Sequence, residues 1–264
     1  MIERAARLAW LAPAALLLLI AVALVPTSDR VRLAGSPSAA DDMTAVFDEL
    51  PPDALVLVGF DPDLGTYAEI RPTVRVLLDD LLVRDARLAF VSLTAEGRAL
   101  AIAERARLLD GGVAEGRLVD VGFVPGAEAA LVSLAGAVGA GGDGLPAEQP
   151  ALGLVVGGND IGPRTWVEQF APRVEGVGLV AVAPSVLLPE MRPYLESGQL
   201  LALLSTPGEG AAYRDAAGTS VAGADGPAPL AVLVGMLVAI AVLGTAVVSR
   251  LGQAFGRSRG REAA

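Results

Sequence analysis

The chain has 264 residues, no Cys, no His and a formal net charge of -10 at pH 7, and every basic residue is Arg. That composition excludes disulfides, thiolate nucleophiles, Ser-His and Cys-His catalysis, zinc sites built on His or Cys, and Schiff-base lysines. Carboxylates, hydroxyls, Arg and hard metal ions remain available, and the acidic balance opposes nucleic-acid binding.

Residues 1–7 carry Glu3, Arg4 and Arg7, and an apolar run from Leu8 to Val25 follows. This start reads as a signal peptide or an uncleaved signal anchor. A run of 18 residues is long for a cleaved h-region and sufficient to span, so the span is the favoured reading. Residues 26–41 are small, polar and Pro-containing, as in a linker. Asp41 and Asp42 then stand before MTAVFDEL as caps of a short helix, which Pro51-Pro52 ends.

From residue 53 apolar runs alternate with helical patterns. The runs are 54–60, 87–93, 118–123, 151–156, 176–182 and 200–205. Helices are expected over 66–84, 96–109, 127–138, near 164–170 and over 187–196, and Thr206-Pro-Gly-Glu209 matches a capping box. Continuous apolar strands, rather than alternating ones, point to a parallel sheet buried on both faces. The expected fold is α/β: a three-layer, doubly wound, mostly parallel sheet of about six strands spanning residues 42–217.

A linker over 218–228 leads to the span at 229–249, whose core Leu230–Val248 holds no charged residue. Nineteen helical residues reach roughly 28 Å, about one hydrocarbon core. The tail 250–264 carries Arg250, Arg257, Arg259 and Arg261 against Glu262. Arg at both ends predicts two spans, cytoplasmic termini and an extracytoplasmic domain, with the bilayer as partner. The termini hold +1 and +3 of the charge, which leaves -14 for the middle. Ala231, Gly235 and Ala239 form a small-xxx-small line that suits a second membrane helix.

Ligands of open parallel sheets bind beyond the C-terminal strand ends. The most polar cluster there is Asp61 and Asp63 after the first strand with Asn159 and Asp160 after the fourth. Four oxygen donors suit Mg²⁺ or Ca²⁺. Asp and Asn at such turns also cap the next helix, and that is the role expected, with no metal and no cofactor. Arg71 and Arg164 open the two following helices and are the nearest cations in sequence. Arg192 is a candidate for an anionic ligand or partner, with a surface ion pair as its expected fate. Gly157-Gly158-Asn159-Asp160 matches neither phosphate-loop pattern, and Ser185 lacks both G-x-S-x-G and a His.

The segments VGFDPD and MRPYLESGQL resemble parts of bacterial two-span membrane proteins with an extracytoplasmic doubly wound domain. The α/β portion, residues 54–205, is similar to degenerate amidotransferase-like domains of envelope and transport assemblies. That resemblance implies a fold kept without its Cys-His site, and it assigns no functional residue. The function expected is a non-catalytic, membrane-anchored binding or assembly module of the cell envelope. The alternatives are an extracytoplasmic sensor of a small ligand and a carboxylate- or metal-dependent hydrolase using Asp61, Asp63 and Asp160.

Overall fold

The computed structural model describes residues 37–142, 144–158 and 161–218. The spans expected at 8–25 and 229–249, with Ala231, Gly235 and Ala239, lie outside the described residues. Among the described residues no helix is long and apolar enough to cross a membrane.

Apolar runs become strands because extended β-branched and leucine-rich segments bury both pleat surfaces at once. All seven residues of β1 (Leu55–Asp61) are buried. The other strands are β2 (Arg87–Ser92), β3 (Leu118–Phe123), β4 (Leu152–Gly157), β5 (Gly178–Val182) and β6 (Ala202–Leu204). They form one open sheet in the order β3-β2-β1-β4-β5-β6, and every neighbouring pair is parallel. The chain builds outward from β1 to β3 and then returns to start β4 on the other side of β1. The reversal point of the topology therefore lies between β1 and β4.

Alternate residues feed two cores. Val56, Val58 and Phe60 of β1 pack with α1 (Pro37–Asp48), α2 (Leu64–Val83), α3 (Ala95–Asp110) and α6 (Pro207–Ala217). Leu55 and Leu57 face the opposite core, covered by α4 (Glu128–Ala137), a π-helical turn at Trp166–Phe170 and α5 (Leu188–Glu196).

On the first face two buried carboxylates tie helices together. Glu104 of α3 accepts from Tyr67 (2.9 Å) and Arg75 (2.7 Å) of α2 and from Arg107 (2.7 Å) of its own helix. Burial pushes its carboxyl up, but the hydrogen bonds from Arg75, Arg107 and Tyr67 win, and the net shift is downward. Asp80 of α2 accepts from Arg84 (2.8 Å) and from the Tyr213 hydroxyl of α6. Arg84 continues the chain of contacts to Asp48 of α1.

Three elements depart from the sequence reading. Helix α1 starts at Pro37, so Asp41 and Asp42 lie exposed inside it rather than capping it; Ala39 and Ala40 favour helix, and Pro suits a first turn. The helix expected near 164–170 is one turn, Pro163–Thr165, that loosens into the π turn. Pro172 follows at once and cannot donate to a continuing α ladder. β3 reads as a core run but is an edge strand, half-exposed. Its Asp120 pairs with Arg98 and Arg105, a charge placement that blunts an open edge. The capping box at α6 is present, with Glu209 N donating to Thr206 Oγ1 (3.1 Å) and Thr206 N to Glu209 Oε2 (3.0 Å).

Candidate functional site

Asp61 ends β1 directly opposite Gly157 of β4. The two strands are neighbours, so the Asp61-Pro62-Asp63 turn and the turn after β4 meet at one sheet edge. Asn159 and Asp160 lie outside the described residues.

Asp61 is fully buried. Its Oδ1 accepts from Leu93 N (2.7 Å), Thr94 N (2.8 Å) and Thr94 Oγ1 (3.0 Å), which fastens the end of β1 to the β2–α3 loop. Gly97, in the first turn of α3, sits against this junction. A Cβ there would meet the Phe60 carbonyl, Asp61 Cα and Asp61 Oδ1. Burial raises the Asp61 carboxyl from 3.8 to about 6, and the backbone hydrogen bonds from Leu93 and Thr94 oppose that rise without cancelling it.

Asp63 does what an Asp at a strand-to-helix turn is expected to do. It is the N-cap of α2, with Oδ1 accepting from Thr66 N (2.8 Å) and Oδ2 from Thr66 Oγ1 (2.5 Å). The Thr66 hydroxyl is the largest cause of its lowered pKa. The first amide of α2, Leu64 N, donates to Glu96 Oε1 (2.6 Å) of α3. Glu69, one turn further on, accepts from Ser185 N (3.0 Å) and Ser185 Oγ (2.8 Å) in the β5–α5 connection. From the other side Gly158 closes in: a Cβ there would lie 2.5 Å from Thr66 Oγ1, 2.9 Å from Pro184 Cγ and 3.1 Å from Asp63 Oδ2.

In sheets of this strand order, dinucleotides cross the β1–β4 crevice and lay their pyrophosphate on the amides that open the helix after β1. Here those amides face Asp63 and Glu96, two anions of the chain itself. An anionic ligand at that place would displace a carboxylate and meet its charge.

Arg164 pairs with Glu168 (3.1 Å) and Glu190 (3.3 Å). Arg71 is exposed. Backbone amides and threonine hydroxyls compensate Asp63 and, only in part, Asp61, whose net shift stays upward. Arg192 is exposed on α5 and forms no ion pair among the described residues. No group of three or more metal-ligating side chains is found among the described residues. An open depression of about 480 Å³ lies at the opposite sheet edge, between the ends of α2 and α3, against Leu82, Val83, Val113 and Arg117.

Thr94 and Ser185 sit at strand ends in the sequence, but Glu96 carries no signal that it reaches back to Leu64. The two residues are 32 apart and meet only because β1 and β2 pair.

The chain matches no protein-family model, no curated protein and no solved structure. What the structure defines is an α/β domain with a six-stranded, all-parallel sheet flanked by helices. Fold alone assigns no activity.

Proposed function

We propose that the chain is a non-catalytic, membrane-anchored binding or assembly module of the cell envelope. The observation that carries this reading is the occupied β1–β4 crevice. Asp63 and Glu96 take the first amides of α2, and Gly158 is wedged between Thr66, Asp63 and Pro184. A domain of this topology with its phosphate seat given to its own carboxylates is left with its outer faces for contact. The uncharged run Leu230–Val248 and the Arg-rich tail support the membrane anchor.

Phosphatase and fluorescent-protein fusions at residue 220 and at the C-terminus test the topology. Phosphatase activity is expected at 220 and fluorescence at the C-terminus; fluorescence without phosphatase activity at 220 overturns it. Capture from detergent followed by mass spectrometry tests the assembly role, which predicts stoichiometric membrane or envelope proteins.

One observation favours a second reading, a carboxylate-dependent hydrolase. Asp61 is buried at the strand-end edge with its pKa raised to about 6, a value suited to proton transfer near neutrality. Asp61→Asn abolishing an activity measured on the intact chain would promote that reading.

A further inference from the structure

At the sheet edge opposite the crevice, the ends of α2 and α3 leave an open depression of about 480 Å³. Leu82 and Val83 of α2, with Val113 and Ala114 just past α3, give it an apolar lining. Val83 is 75% exposed, the most exposed large apolar side chain among the described residues. The arginines nearby are already used by the chain itself. Arg117 donates to the carbonyls of Leu82 (2.9 Å) and Ala86 (2.8 Å) and pairs with Asp85 (3.3 Å). Arg107 pairs with Asp79 (3.0 Å) of the lining and with Glu104 (2.7 Å). Asp110 and Glu115 bracket the lining stretch 111–114, are exposed, and form no ion pair among the described residues.

We propose that this depression is a docking site for a segment of a partner protein in which aliphatic side chains are flanked by Arg or Lys. Charge selects that occupant. Residues 79–85 and 107–117 carry five Asp or Glu against three Arg, a net -2. The carbonyl ends of two helices meet there and add roughly half a negative charge each. Asp110 is the last residue of α3, where the helix dipole opposes an anion, and a cation beside it relieves both. A second copy meeting this patch in a two-fold contact would set the same acids against each other. An anionic leaflet is repelled for the same reason. A small ligand needs a cleft that covers most of its surface, and this depression is open. A protein segment fits both features: the lining takes its aliphatic side chains out of water, and the acidic rim orients the flanking cations. The site gives the assembly reading a surface, and its chemistry stands without the membrane anchor.

The probe is a fluorescein-labelled peptide, GRLALRG, titrated onto the full chain in detergent and read by anisotropy. Saturable binding is expected, and replacing both Leu by Gly or both Arg by Glu in the peptide should abolish it. Val83→Arg should weaken binding about tenfold, the effect of losing one covered aliphatic side chain. Asp110→Asn should weaken it about threefold, the effect of one exposed charge pair. Val83 and Asp110 are exposed, so each variant should keep the parent Tm. Val186→Arg makes the same change of charge at a side chain 73% exposed beyond β5, at the other sheet edge. Salt screens a charge that far away, so the affinity should stay within about twofold. No saturable binding, equal loss from Val83→Arg and Val186→Arg, or indifference to both Val83→Arg and Asp110→Asn would each overturn the proposal. If capture from detergent still finds stoichiometric partners while GRLALRG does not bind, the docking site fails and the assembly reading stands.

Discussion

On one face of the sheet, Glu104 and Asp80 clasp four helices through Arg75, Arg107, Tyr67, Arg84, Tyr213 and Asp48. On the other face, Trp166, Phe170, Leu131 and Leu134 hold α4, the π turn and α5 with apolar packing. Both faces exclude water equally well: Glu104 is 1% exposed and Trp166 0%. They differ in what they specify. A carboxylate that accepts from three side chains on two helices fixes their angle and register, because any slip leaves a buried charge short of donors. Apolar packing tolerates small shifts.

The contrast predicts different failures on the two faces. Trp166→Ala removes the largest fully buried side chain among the described residues, which packs against Phe170 at a ring-centroid distance of 4.9 Å and an interplanar angle of 51°. It should cost about 3–5 kcal/mol and lower Tm by roughly 10 °C, read by circular dichroism. Glu104→Ala takes the shared acceptor from Arg75, Arg107 and Tyr67. The two Arg side chains are 24% and 26% exposed and stay partly hydrated, so the expected cost is about 2–3 kcal/mol. A cost below about 1 kcal/mol would show that the clasp adds register and little stability. The Glu104→Ala, Arg107→Ala double-mutant cycle then separates the pair from the network.

The third effect concerns Asp61, whose pKa moves opposite to that of Glu104. Its folded value, about 6, lies above the ordinary 3.8. Folding therefore takes up a proton, and the contribution of this group is fully present below pH 3.8 and is lost as pH rises through about 6. A two-unit shift corresponds to roughly 3 kcal/mol as an upper bound. Asp61→Asn keeps an oxygen acceptor for Leu93 N and Thr94 N and removes the ionisation. Urea melts should show variant and wild type alike near pH 4, with the variant gaining about 1–3 kcal/mol by pH 7.5. A gap that closes or reverses as pH rises would contradict the burial argument.

Much of this architecture is legible in the residues. Continuous runs such as LVLVGFD already state a doubly buried parallel strand, and Thr206-Pro-Gly-Glu209 states its own helix start. Asp63, three residues before Thr66, reads correctly as a cap because the contact is local. What depends on strand order is not legible. Asp61 looks like a second cap, yet its donors are 32 and 33 residues away on the β2–α3 loop. β3 looks like core because its apolar run resembles the others, but it lies at an end of the sheet and is half-exposed, whereas β6 at the other end is packed by α1 and buried. Arg164 sits near Asp160 in sequence, but Glu168 lies four residues on along the same turn, a local partner that costs less chain entropy to reach.

The most direct test of the occupied crevice is a melt of the full chain in detergent with and without millimolar Mg²⁺ or Ca²⁺, followed by circular dichroism. A site filled at 100 times its Kd would add about 2.7 kcal/mol. With amides and hydroxyls already meeting Asp61 and Asp63, Tm should stay within about 2 °C. A clear upward shift that Asp61→Asn abolishes would contradict the account and establish a cation site at the strand ends.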